Sequence, residues 1–329
     1  MRKTSVFKCF LFFGICCFGE EPSDRTFIHA LHNGAEATMT FCVLDDEGLP
    51  VPGANVETGF DDPAPGQSIY NQKTDTNGIC VATGNTRGGM WFRITKTNFY
   101  RTDGGYYFRS KFRPYVVDGK WQPWNPTNTV ILKRIKNPIP MYVKNVQMKI
   151  PIENDPIGFD LEKGDWVSPY GGGVKNDLLI TFSRIIRDSD DYENTMKVSF
   201  SNESDGIQEV MALPVGGISL RLSHKIPQTG YQSHWTQKLQ RKLPQGFTFT
   251  PEKRDDRNYF FRIRTVLDKD GNIVSALYGK IYGSIDFAGY CAEKGTLIFT
   301  YYLNPTPNDR NIEFDPAKNL FGGRDRFAP

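Results

Sequence analysis

The chain has 329 residues, of which 39% are hydrophobic and 23% charged, which gives room for two domains or one large β domain and excludes a membrane-helix bundle and a disordered chain. Aromatic residues reach 13%, and 31 Gly and 21 Pro supply turns, a mix suited to β-sheets with frequent turns and not to collagen or a coiled coil. The formal net charge is only +3, and three of the cations, Arg2, Lys3 and Lys8, stand at the N-terminus.

Those cations precede an uncharged apolar stretch, residues 9–18. It is too short to span a bilayer and has the length of a signal-peptide core, with the small Gly19 just before the expected cut. Residues 1–19 are therefore read as a signal peptide, and the mature chain as exported to a periplasm, a cell surface or the extracellular space. Its removal leaves cations and anions equal in number. No long-range field then remains to attract nucleic acid, so no nucleic-acid partner is expected. No later apolar run reaches membrane-spanning length. Cys9, Cys16 and Cys17 depart with the signal. Cys42, Cys80 and Cys291 remain, an odd and widely spaced set that does not form a disulfide framework. No Cys-x-x-Cys and no Cys/His cluster is present, so neither a metal site nor a cofactor is expected.

After a short N-terminal segment, 20–36, the chain reads as brief alternating runs separated by turn residues. Strands are predicted at 38–44, 91–95 and 129–132. Pro138 and Pro140 then favour an extended connection, where the domain boundary is placed. Further strands are predicted at 141–150, 178–186, 196–200 and 218–222. The clearest hairpin joins 259–267 to 273–282 through Asp268-Lys269-Asp270-Gly271-Asn272, since Asp-Gly between two β-rich runs is a strong turn signal. A last strand is expected at 296–303. Pro305 and Pro307 end it, leaving a loosely ordered tail, 305–329. The best helix candidate is 234–243, with Trp235, Leu239 and Leu243 at helical spacing; Lys238, Arg241 and Lys242 would lie on its solvated face. The fold class is all-β, two antiparallel β-sandwich-type domains in tandem, over 37–137 and 141–304.

Within the first domain, the segment Val43-Leu44-Asp45-Asp46-Glu47-Gly48-Leu49-Pro50-Val51-Pro52-Gly53-Ala54-Asn55-Val56 resembles the opening of carboxypeptidase-regulatory-like domains, the transthyretin-like β-sandwich modules of many secreted proteins. Thr74-Asp75-Thr76-Asn77-Gly78 is similar to that family's turn. Residues 91–100 are similar to its strand and aromatic corner, although Asn98 stands where the family has Gly. Residues 129–132 would close the sandwich. The resemblance covers about 37–135, and it implies a folding, spacing or binding role without a catalytic set. Bacterial Ig-like domains share the opening. The residues themselves support turns there: Asp75 is able to bond the backbone two residues on, and Gly78 to take a positive φ. Residues 141–304 resemble no family.

Candidate chemistry is sparse. His29 and His32 are spaced as a helical chelating pair, but no carboxylate or Cys completes a ligand set. Ser223-His224 and Ser233-His234 are adjacent pairs, whereas a Ser–His couple works through space with a third orienting group; no catalytic residue is assigned. Asp268 to Asn272 lacks the Gly and Glu of a calcium loop, and Asp188-Ser189-Asp190-Asp191 reads as a solvated acidic loop. Gly171-Gly172-Gly173 has no phosphate-loop context and reads as a flexible turn. The aromatics carry the only binding hypothesis. Trp121 and Trp124 share a proline-held loop, and Tyr106 and Tyr107 lie near it if 106–112 and 129–132 are neighbouring strands. Exposed, these rings offer a stacking surface for a glycan; buried, both indoles cap the sandwich or seal a domain interface. The sequence thus points to an exported, non-enzymatic protein with an interaction, envelope-associated or glycan-binding role, its partner a glycan or an envelope or extracellular protein. The alternative is a secreted hydrolase with its active site in the second domain.

Overall fold

Alternation of buried and exposed residues organises the computed structural model, which describes residues 22–62, 68–108, 115–188, 190–211, 217, 219–242, 256–288, 295–322 and 327–329. The signal-like segment and Cys291 lie outside the described residues. The chain forms two compact units. Unit 1 holds Met1–Leu44, Pro50–Ile94 and Asp103–Val130; unit 2 holds Asp45–Leu49, Thr95–Thr102 and Ile131–Pro329. The division thus falls at Ile131, ahead of the prolines at 138 and 140.

In unit 1 a helix, α1 (Pro22–Asn33), comes first, ahead of the first predicted strand, with Phe27, Ala30 and Leu31 at helical spacing. Its punctuation follows the usual asymmetry, with Pro at the start and Gly34 at φ +77° past the end. Nine strands follow: β1 (Ala35–Asp45), β2 (Asn55–Phe60), β3 (Ser68–Lys73), β4 (Ile79–Thr86), β5 (Gly89–Thr95), β6 (Thr102–Tyr107), β7 (Val116–Val117), β8 (Lys120–Trp121) and β9 (Thr127–Leu132). One sheet runs β4-β1-β8-β7 with β9 also on β1; the other runs β3-β2-β5-β6. They meet through inward residues such as Phe41 of β1 and Phe92 of β5, whose rings are 5.1 Å apart. The 74–79 turn forms as its residues dictate. Asp75 Oδ1 accepts the N–H groups of Asn77 and Ile79, and Gly78 sits at φ +74°, where an added Cβ would also press on the Val43 carbonyl.

Strand parity separates the two described thiols. Phe41 lies opposite Cys80 and Cys42 opposite Ile79, and directly opposed residues share a sheet face. Cys80 is therefore buried with Phe41, while Cys42 is half-exposed on the outer face. Burial, with the charge of Asp75 adding to it, pushes the Cys80 thiol above its ordinary pKa. Native alkylation is expected to label Cys42 well ahead of Cys80, and non-reducing peptide mapping to yield no Cys42–Cys80 cross-linked peptide. Recovery of that peptide would overturn the register.

The described residues of unit 2 form twelve strands: β10 (Ile139–Lys149), β11 (Ile157–Asp160), β12 (Asp165–Trp166), β13 (Leu178–Ile186), β14 (Asp191–Ser199), β15 (Gly206–Met211), β16 (His234–Lys242), β17 (Arg257–Leu267), β18 (Ile273–Ile281), β19 (Asp286–Ala288), β20 (Thr296–Asn304) and β21 (Phe314–Asn319). A seven-stranded sheet, β15-β17-β18-β20-β10-β21 with β19 on β20, faces a five-stranded sheet, β12-β11-β13-β14-β16. The core between them includes Phe159, Phe182, Tyr259, Phe261, Tyr301 and Leu303. The other face of the seven-stranded sheet is buried as well, by Leu222, Ile226 and Ile312 against Phe260, Tyr278 and Tyr302. Burial on both faces explains the unbroken runs Tyr259-Phe260-Phe261 and Tyr301-Tyr302-Leu303, which a one-sided strand would interrupt with polar residues.

Four expectations are corrected here. No strand forms over residues 219–222 of the segment predicted as one. Residues 234–242 form the edge strand β16 and no helix. Trp235 and Leu239 are four apart, a spacing that keeps one face in either geometry; Trp235 packs on Tyr259 at 5.3 Å, and Lys238 and Arg241 pair with Glu193 and Asp190 near the β13–β14 turn. The chain beyond Pro305 is built into the fold: Ile312, Glu313 and Phe314 are buried, and β21 adds to β10 in parallel. The Gly171-Gly172-Gly173 turn is closely packed, because side chains at Gly171 and Gly173 would collide with the Trp166 carbonyl and Asp165. The predicted hairpin forms. Asp268 Oδ1 accepts the N–H groups of Asp270 and Asn272, and Gly271 takes φ +84° between β17 and β18.

Candidate functional site

The aromatic residues singled out from the sequence do not form one platform. Trp121 is fully buried in unit 1. Its Nε1–H donates to the Thr86 carbonyl at 2.7 Å, and its ring fills the space beside Gly88. An indole so placed is a core residue, which removes Trp121 as a stacking surface. Trp124 is 39% exposed, with the Lys120 ammonium 4.7 Å from its ring centre. Tyr107 is 77% exposed, while Tyr106 is half-buried against Phe108, their rings 5.0 Å apart, and burial pushes its phenol upward. β6, which carries both tyrosines, pairs with β5, whereas β9 pairs with β1 in the other sheet. The strand neighbourhood that was to bring them together does not form.

The structure instead opens a cleft of about 580 Å³ in unit 2, within the size range of small-ligand sites. Five separated segments line it: the Asp45–Gly48 turn, Ile131 of β9 with Lys133 just beyond it, Val210 and Met211 of β15, Arg221 to His224, and Phe260 of β17. The turn is built by Asp45, whose Oδ1 accepts the N–H groups of Glu47 and Leu49 and whose Oδ2 holds Arg134 at 2.9 Å. Burial opposes ionisation of Asp45, but these donors outweigh it and keep the carboxyl below its ordinary range. Asp46 is also pulled down: burial works against its charge, and the Lys136 ammonium at 3.0 Å prevails. Both acids are thus ionised and already paired.

Lys133 is almost wholly buried. Its Nζ donates to the carbonyls of Arg221 and Leu222 at 3.2 and 2.7 Å, which fixes the segment that forms one wall. Burial lowers its pKa, while Asp46 works in the other direction. Across the β17–β18 ladder, Phe260 lies opposite Lys280. Lys280 is completely buried, its Nζ has no hydrogen-bond partner among the described residues, and it sits 4.5 Å above the Tyr302 ring. Burial, followed by repulsion from Lys133, pulls its pKa down to about 7, against a weaker upward pull from Glu313. Glu313 is itself committed, accepting from the Tyr100 hydroxyl at 2.8 Å and from the N–H groups of Lys136 and Asn137.

No serine–histidine couple arises in the cleft. Ser223 Oγ donates to the Lys225 carbonyl, and His224 Nε2 lies 2.7 Å from the Arg134 carbonyl. Ser233 Oγ and His234 Nδ1 are 3.4 Å apart at an exposed position. Asp188 Oδ1 accepts the N–H groups of Asp190 and Asp191, closing the β13–β14 turn. His29 and His32 lie on α1. Among the described residues, no group of three or more His, Cys, Asp or Glu side chains is arranged to hold a metal ion, and no helix is long and apolar enough to cross a membrane. The cleft was not legible from sequence, because its lining comes from five segments far apart in the chain.

No protein-family model matches the chain, and no curated protein matches it. Among solved structures, 3-chlorocatechol 1,2-dioxygenase from Rhodococcus opacus 1CP is similar over 31% of this chain and 61% of its own, with 12% identity and a TM-score of 0.26; the matched region spans about three fifths of that enzyme's length. A candidate carbohydrate-binding protein from Bacteroides uniformis is similar over 82% of this chain and 99% of its own, with 12% identity and a TM-score of 0.19. BcpA, the major pilin subunit of Bacillus cereus, is similar over 82% and 85%, with 9% identity and a TM-score of 0.24. At such scores these likenesses establish neither a family nor a shared activity.

Proposed function

We propose that this is an exported, non-catalytic β-sandwich protein that binds a glycan in the unit 2 cleft. The observation that carries the reading is the composition of the cleft: an apolar wall of Ile131, Val210, Leu222 and Phe260 beside a few converging polar groups, Lys133, Arg221, Ser223, His224 and Asp46, the combination that grips a ring with one hydrophobic face and several hydroxyls. Asp45 and Asp46 are ionised and held by Arg134 and Lys136, which suits hydrogen-bond acceptance better than proton donation to a leaving group. Export is supported by the basic and apolar segment 1–19. The resemblance of residues 37–135 to a carboxypeptidase-regulatory-like module is supported by Gly48, Gly53 and Gly78, all at positive φ in the expected turns.

A second reading, favoured by the exposure of Trp124 beside Lys120, places the glycan on the 120–126 loop. A glycan array with the full chain separates the two. Met211→Trp, at the exposed lip of the cleft, is expected to abolish array binding, and Trp124→Ala to retain it. The opposite pattern moves the site to the loop, and a parent protein that binds no glycan rejects the function.

A further inference from the structure

We propose that the cleft selects an acidic saccharide, a sugar bearing a carboxylate of the hexuronate type, and holds that carboxylate between Lys133 and Arg221. The inference rests on the reading of the cleft as a glycan site and adds the charge of the ligand.

Charge accounting within unit 2 carries it. The two carboxylates of the cleft are each paired with a cation outside its lining, Asp45 with Arg134 and Asp46 with Lys136. The cations of the lining are not so matched. Lys133 has three N–H donors, and two of them go to the Arg221 and Leu222 carbonyls, which carry no net charge; the one carboxylate that acts on its ammonium, Asp46, is shared with Lys136. Arg221 places its guanidinium 5.3 Å from the Tyr282 ring centre, and no carboxylate among the described residues pairs with it. Lys280 adds a second amine, across the ladder from Phe260, fully buried and without a hydrogen-bond partner among the described residues. The buried carboxylate nearest in effect, Glu313, is already bound by a hydroxyl and two backbone N–H groups.

A concave surface with cationic donors and low-dielectric walls concentrates positive potential. An entering carboxylate would find the remaining N–H of Lys133 and the planar fork of Arg221, which matches carboxylate geometry. The sugar ring would then lie along Val210, Leu222 and Phe260, with its hydroxyls toward Ser223, His224 and Asp46. A neutral sugar offers nothing to offset the charge. Lys280, directly across the ladder from the lining residue Phe260, is buried without a hydrogen-bond partner among the described residues, so a bound anion makes its protonated form more favourable. Ligand and proton are thereby linked at one site.

Titration of the full chain with D-glucuronate and with D-glucose, followed by calorimetry and by NMR of ¹³Cε-labelled lysine, tests this. Glucuronate is expected to bind at least tenfold more tightly than glucose, to weaken as salt is raised, and to move the Lys280 titration midpoint to higher pH. Arg221→Gln, at an exposed position whose loss leaves the core intact, is expected to remove the preference for glucuronate. Lys133→Gln is expected to do the same; if that variant fails to fold, Arg221→Gln alone decides. Equal binding of the two sugars overturns the acidic ligand while leaving a glycan cleft in place. Absence of glucuronate binding, or a preference unchanged in Arg221→Gln, overturns the proposal outright.

Discussion

Replacing Lys280 by Met is expected to stabilise the unliganded protein by about 3 kcal/mol at pH 6.5 and by progressively less as the pH is raised toward 10. The amine titrates at about 7 in the folded chain against an ordinary 10.5. At about 1.4 kcal/mol per pH unit, that difference amounts to a penalty of about 5 kcal/mol where both states are protonated. Loss of the contact with the Tyr302 ring at 4.5 Å returns about 1–2 kcal/mol of it. The sign follows from linkage. Between about pH 7 and 10.5 the unfolded chain binds the proton and the folded chain does not, so parent stability rises with pH across that window; below pH 7 the penalty is present in full. Met has a similar length, no charge and neighbours such as Phe260 and Tyr302 that suit it. Urea denaturation of both proteins from pH 6 to 10 measures the effect. Parallel curves, or a less stable variant at pH 6.5, would refute it. A fold gains nothing in stability from such an amine, and groups with pKa values displaced by burial concentrate at functional sites, which fits the ligand role inferred for the cleft.

How much of this was legible in the sequence differs by level. Strand positions followed from local patterns: the Asp268 to Asn272 turn between two β-rich runs, and the Asp75–Gly78 turn. Errors arose where one pattern fits two geometries or where tertiary cover changes the meaning of a residue. Trp235 and Leu239, four apart, lie on one face of a helix and equally on one face of a strand, and the pairing of β16 with β14 decided for the strand. Trp121 occupies a two-residue strand whose burial depends on Phe27 of α1 and on Gly88, distant in sequence. Lys280 reads as the outward member of a strand. It becomes buried because the second face of its sheet is covered by Leu222, Ile226 and Ile312, which belong to segments with little periodicity.

The second large effect is expected at Arg264, where Arg264→Met should destabilise the protein by about 3–5 kcal/mol. A break in the β17–β18 ladder between Ile263 and Val266 leaves Arg264 at φ +54°, a bulge of the kind that redirects a side chain. Asp205 fixes the bulge by accepting the N–H groups of Arg264 and Thr265. The redirected guanidinium binds both oxygens of the buried Asp177 at 2.8 Å and Glu162 at 2.8 Å; burial works against its charge, and these carboxylates outweigh burial and raise its pKa beyond the ordinary arginine value. Asp177 precedes β13 in the five-stranded sheet, so one side chain ties the two sheets of unit 2 at this end of the core. Burial pushes the Asp177 carboxyl upward and the guanidinium opposes that shift. Without Arg264, Asp177 keeps the Leu161 N–H and otherwise faces burial unpaired, and the loss of one partner from such a pair is far costlier than replacing both. Arg264→Lys keeps the charge but not the fork, and should fall between parent and Met. In the double variant Arg264→Met/Asp177→Asn the stranded charge is gone, so about half of the loss should return. Denaturant midpoints for these four proteins and the Asp177→Asn single variant at pH 7 give the coupling; an Arg264→Met loss under about 1 kcal/mol, or a double variant no more stable than Arg264→Met, would show that the network is incidental to the fold.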